Sequence, residues 1–215
     1  MAAPLPAMPG QSHRALCSVN ETPSEGETVL DRLFRRQREA RAAAEFFGRI
    51  VAQARRPEFY RDLGVPDSLD GRFDMVALHV FLVMHRLKGQ GEAAESWSRR
   101  LYEVMLDDFE KSLMELGAGD SGIPRRMKQI ARGMAGRIDA YHKALEGGST
   151  DSRVLEVALD NNLYGTVPDT KPAWLAAMAG YVRATVSALA GQPLEGLLAG
   201  EIRFADPPAA GPAPG

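Results

Sequence analysis

Cysteine is nearly absent from this chain. Cys17 stands alone among 215 residues, which excludes an internal disulfide and any cysteine-built metal cluster. Histidine is scarce too, and no Glu-x-x-His element of the kind that builds di-iron bundles is present: three residues before His13, His79, His85 and His142 stand Gly10, Val76, Leu82 and Asp139. Only Asp139 and His142 have metal-pair spacing, and two ligands fall short of the three or four a site requires. No glycine-rich phosphate loop, Gly-x-Ser-x-Gly elbow or Cys–His nucleophile motif occurs. Period-two alternation is almost missing, so strands are not expected. The apolar run Met75–Met84, MVALHVFLVM, contains His79 and is about half the roughly 20 residues a membrane span needs; it reads as a buried helix. A net charge of -2 argues against a general nucleic-acid binder.

What remains is ordinary globular composition, 45% hydrophobic and 25% charged, patterned with helical period. Residues 1–29 are rich in Pro, Ala, Gly and Ser and are expected to be a disordered leader, and 201–215 a Pro/Ala/Gly-rich tail, disordered from Asp206. The leader has no charged start followed by an apolar block, which speaks against a secretory signal. Its lack of acidic residues before Glu21 leaves a targeting role open. Residues 30–200 are expected to form one all-α domain, a bundle of about six helices. The segments predicted are 29–54, 71–88, 92–116, 120–145, a shorter one carrying Val154 to Leu163, and one opened by Pro172, with turns at 57–66 and 194–198. The segment 71–88 is apolar nearly all round and should lie at the centre. His79 and His85, six apart, point in different directions and suit core packing and an interhelix hydrogen bond. Asp107, Asp108 and Glu110 read as solvated surface.

The most informative stretch is DSGIPRRMKQIARGMAGRIDAYHKAL at 120–145. Met127, Ile130, Met134, Ile138, Tyr141 and Leu145 recur at steps of three and four and share one side. Arg125, Arg126, Lys128, Arg132 and Arg137 fall on the other half with no acid among them. Gly133 and Gly136 sit on that same side, where each costs about 1 kcal/mol against alanine. Glycine there permits close approach of another backbone, and the arginines can fork onto carboxylates or phosphates. The alternative is a plain solvated face. We therefore expect a partner-binding surface of Arg125, Arg126, Lys128, Arg132, Gly133, Gly136 and Arg137, with no catalytic or metal-ligating residue and no cofactor.

Three segments carry a family resemblance: LHVFLVMHRLKG at 78–89, LYEVMLDDFEKSLMELGAGDSGIPRRMKQIA at 101–131 and GRIDAYHKAL at 136–145. They resemble the ubiquinol–cytochrome c chaperone family over about Phe34 to Leu189, most strongly from Met114 to Arg137. Where relatives place aromatic residues before the Gly–Arg pair, this chain has Met134 and Ala135. The resemblance implies a non-enzymatic assembly factor that binds newly made cytochrome b during biogenesis of ubiquinol–cytochrome c reductase. It implies cytochrome b apoprotein as partner, the ribosome or a second assembly factor as further contacts, and peripheral contact with the inner membrane. The implied location is the bacterial cytoplasm at the inner face of the plasma membrane, or the mitochondrial matrix in a eukaryote. The competing readings are a helical-bundle enzyme or carrier for a lipid or quinone-like ligand, and a regulator using the basic helix on DNA.

Overall fold

In the computed structural model, the residues described are 29–115, 122–146 and 152–208, and they contain eight helices and no strand. Six are long: α1 Val29–Ala54, α3 Leu69–Leu87, α4 Glu92–Glu115, α5 Ile123–Glu146, α6 Ser152–Asn162 and α7 Pro172–Ala190. Two span five residues each, α2 Pro57–Arg61 and α8 Leu194–Leu198. The fold is all-α with about six principal helices, as the periodicity predicts. Residues 1–28 of the expected leader, Asp120 at the expected start of the basic helix, and residues 209–215 of the expected tail lie outside the described residues. The chain divides into two units, one ending at Ala40 and one beginning at Arg41. In the first, α1 places Leu30 and Phe34 in solvent.

The second unit is organised around α3. Ser68 caps it, its Oγ accepting from the Gly71 N–H at 3.1 Å, which satisfies one orphan donor of the first turn. From Met75 to Val83 every residue is buried, because α3 packs on α4, α5 and α7 while α6 packs on α5 and α7. A helix enclosed in this way has no side left for polar residues, hence its composition. Rings lock the contacts: Phe73 meets Phe109 of α4 at 4.4 Å between centroids, and Phe81 meets Tyr141 of α5 at 5.4 Å. Gly64, at φ 66°, lies beneath the Trp174 ring, where an added Cβ would come within 2.4 Å of the ring. Both the backbone conformation and the space demand glycine there.

Two features differ from the sequence reading. The helix nearest to membrane-spanning length and composition is α7, not 75–84. Its buried side is Met178, Ala179, Tyr181, Val182, Thr185 and Leu189; much of its apolar character comes from alanines, which stay small and half out of contact. Residues 201–208, which composition groups with the tail, pack on the helices without forming one. Ile202, Phe204 and Ala205 rest against the core. The Gln192 side chain brackets Arg203, donating to its carbonyl at 2.8 Å and accepting from its N–H at 2.9 Å. Gln53 donates to the Ala205 carbonyl at 3.0 Å, and Arg56 pairs with Asp206 at 2.8 Å. Three apolar side chains and a set of satisfied backbone groups outweigh the local Pro/Ala/Gly signal.

Candidate functional site

α5 has the two faces its sequence predicts. Met134 and Tyr141 are buried, and Met127, Ile130, Ile138 and Leu145 pack partly covered against the same core. Met134, at the position where an aromatic was expected from the resemblance, is fully enclosed, while its neighbour Ala135 is exposed.

The cations divide into two groups. Arg126 reaches back to α3 and contacts Asp70 at 2.6 Å. Arg137 contacts Asp74 at 2.7 Å, with side chains 23% and 15% exposed. The Asp74–Arg137 contact leaves Asp74 Oδ1 and Arg137 Nε without an aligned hydrogen bond. Burial pushes the Asp74 carboxyl up to about 6, against the opposing pull of Arg137. These two arginines thus fasten α5 to α3. Arg125, Lys128 and Arg132 are exposed and have no ion-pair partner among the described residues. They fall within about 60° of one another around the helix axis and form a row roughly two turns long. Asp139 shares this side but is engaged by Lys143 at 2.7 Å, so it does not neutralise the row.

The glycines divide likewise. A Cβ at Gly133 would lie 2.9 Å from Arg137 Nη1, so this glycine gives room for the guanidinium to fold toward Asp74. At Gly136 a Cβ would meet nothing within 4 Å. Of the seven residues expected to form a binding surface, the structure leaves Arg125, Lys128, Arg132 and Gly136 facing outward. Arg126, Gly133 and Arg137 have internal work. Sequence reasoning missed Asp70 and Asp74; their signal was two carboxylates one turn apart at the start of an otherwise apolar helix.

The histidines also have internal partners. His79 is fully buried, its Nδ1–H donating to the Met75 carbonyl at 2.8 Å. Nε2 is then the acceptor, taking the Tyr181 hydroxyl proton at 2.7 Å, while Tyr181 accepts from Gln53 at 3.0 Å. Phe59, Tyr181 and Phe204 surround the imidazole, and burial lowers its pKa to about 4. This is the interhelix hydrogen bond expected of a core histidine, and the ring is not open to a ligand. His142 contacts Lys88 and sets its ring 5.5 Å from that of His85. Asp139 and His142 therefore turn to different partners. Beside His85 an open cleft of about 430 Å³ is lined by Leu82, Arg86, Lys88, Gln90, Val186 and Ala190. Arg86 is occupied there, donating to the carbonyls of Leu189 and Gln192 at 2.9 and 3.1 Å.

Comparison with known proteins agrees with this architecture. A family model described as ubiquinol-cytochrome C chaperone matches residues 61–204. The chain is 29% identical over 164 residues to ubiquinol-cytochrome-c reductase complex assembly factor 1 of Xenopus laevis, covering 75% of this chain and 79% of that protein. The crystal structure of the Cbp3 homolog from Brucella abortus is similar with a TM-score of 0.70 and 35% identity, covering 82% of this chain and 97% of that one. The matched region contains α3 to α8 entire, with the basic row of α5 near its middle, and spans more than half the sequence: this chain belongs to the ubiquinol-cytochrome C chaperone family.

Proposed function

We propose that the protein is a non-enzymatic assembly factor that holds newly made cytochrome b during biogenesis of ubiquinol–cytochrome c reductase. The observation that carries the docking site is the row Arg125, Lys128 and Arg132. It is exposed, unneutralised, and mounted on a helix whose opposite side is fixed in the core. Guanidinium and ammonium groups so presented recognise carboxylates or phosphates, and Gly136 in the same row lets a partner backbone approach. Family membership supplies the client's class. The ribosome exit or a second assembly factor is a further partner on this reading, and the place of action is the membrane-proximal cytoplasm, or the matrix in a eukaryote. The carrier reading gains nothing from His79, both of whose ring nitrogens are engaged within the protein.

The test is recovery of cytochrome b on the tagged full chain from a membrane extract. Wild type should retain it, and R125E/K128E/R132E should lose most of it with unchanged circular dichroism. Retention by the triple variant would sink the docking face. Failure of wild type to recover cytochrome b would sink the client assignment. Deleting the gene should abolish the assembled reductase while sparing soluble enzymes.

A further inference from the structure

The opening turns of α1 are not accounted for by anything described so far. Leu30 and Phe34 are 63% and 64% exposed, whereas large apolar side chains elsewhere in the described helices are mostly covered. They stand four residues apart, so they share one side of the helix. From Val29 to Arg41 the sequence holds five arginines, Arg32, Arg35, Arg36, Arg38 and Arg41, against two acids, Asp31 and Glu39, within a chain whose total charge is -2. By helical register, positions 32, 35 and 36 fall on the half opposite Leu30 and Phe34. Positions 38 and 41 fall on the side of Leu30 and Phe34, and Arg41 is engaged by Glu45 at 2.9 Å, so the two-faced cationic arrangement is confined to residues 30–36.

We propose that this part of α1 is an interfacial anchor that lies on an anionic phospholipid surface, Leu30 and Phe34 entering the acyl boundary while the arginines meet the headgroup phosphates. Three other occupants fit less well. Docking in a protein groove needs apolar anchors continuing at the next turns, but Gln37 and Arg41 stand there. A second copy would set two arginine-rich segments against each other. A nucleic acid would use the cations but leave the exposed leucine and phenylalanine in water. A bilayer uses both, since burial of a few bulky side chains and attraction of several cations to anionic lipid act together. The proposal stands independently of what α5 binds.

The test is flotation of the full chain with vesicles of phosphatidylcholine alone and of phosphatidylcholine mixed with phosphatidylglycerol. Wild type should float with the mixed vesicles only, and added salt should release it. L30S/F34S and R32E/R35E/R36E should each weaken that partition by about tenfold or more, with melting temperatures close to wild type. R125E/K128E/R132E should float like wild type. Wild-type flotation of either α1 variant, or equal binding to neutral vesicles, would overturn the anchor. So would loss confined to the α5 variant, which would move the lipid contact there. Conversion of a dimeric wild type to a monomer by L30S/F34S would also overturn it, by assigning the face to a second copy.

Discussion

His79 shows how one residue type can serve the fold alone. Its neighbours fix the tautomer: Nδ1 must donate to a carbonyl, so Nε2 can only accept, and Tyr181 must donate to it. In the unfolded chain this imidazole takes a proton near pH 6.5, and in the fold only near pH 4. Between those values the unfolded state holds more protons, so stability falls as pH drops through that window. The His79 contribution is complete above pH 6.5 and amounts to a loss on the order of 3 kcal/mol by pH 4. His79→Leu should cost about 1–3 kcal/mol at pH 8, because Tyr181 loses its acceptor. The variant should also lose less than wild type between pH 8 and pH 5. Urea midpoints at the two values measure both effects, and parallel pH dependences would refute the assignment. Asp74 titrates with the opposite sign. Raised to about 6 from 3.8, it contributes stability below pH 3.8 that disappears as pH rises through 6, which partly offsets His79 in wild type.

At the scale of the element, α5 divides its charges between structure and surface. Arg126 and Arg137 pair with α3, while Arg125, Lys128 and Arg132 do not. The two glycines give a direct test of this division. Gly136→Ala places a methyl in open space and should stabilise the protein by about 0.5–1 kcal/mol through helix propensity. Gly133→Ala should gain less or lose stability, because the new methyl displaces the Arg137 guanidinium from Asp74. Thermal melts of the two variants compare them directly, and equal gains would show that Gly133 gives Arg137 no needed room. If a partner backbone approaches Gly136, the more stable G136A protein should nonetheless recover less cytochrome b.

The whole molecule depends on a closing segment that composition does not announce. Residues 201–208 join Gln53 of α1 and Arg56, just before α2, to Gln192 beyond α7, with Phe204 edge-on to His79 at 5.3 Å. Truncation after Gly200 removes Ile202, Phe204, Ala205 and Pro207 from contact and opens one wall around the buried imidazole. The expected loss is about 3 kcal/mol or more, read as a lower urea midpoint, with the His79 pKa rising toward 6.5 as water enters. A truncated chain with wild-type stability would show that the segment merely rests on the surface.

The helices, the central place of α3 and the two-faced form of α5 were legible in the linear order of residues. Period and apolar completeness are local properties that tertiary packing only had to respect. Family membership was legible for the same reason, since the 101–131 and 136–145 segments carry their pattern without reference to distant residues. Which cations are free was not legible: Arg126 and Arg125 are adjacent in sequence, yet only the crossing of α3 over α5 brings Asp70 to one of them. Nor could composition reveal that 201–208 packs on the helices, because its partners, Gln53, Arg56 and Gln192, lie 11 to 152 residues away along the chain. Local periodicity depends on neighbours a few positions apart and is written in the sequence directly. Charge pairing and the packing of an irregular segment depend on which distant surfaces meet, and only the fold decides that.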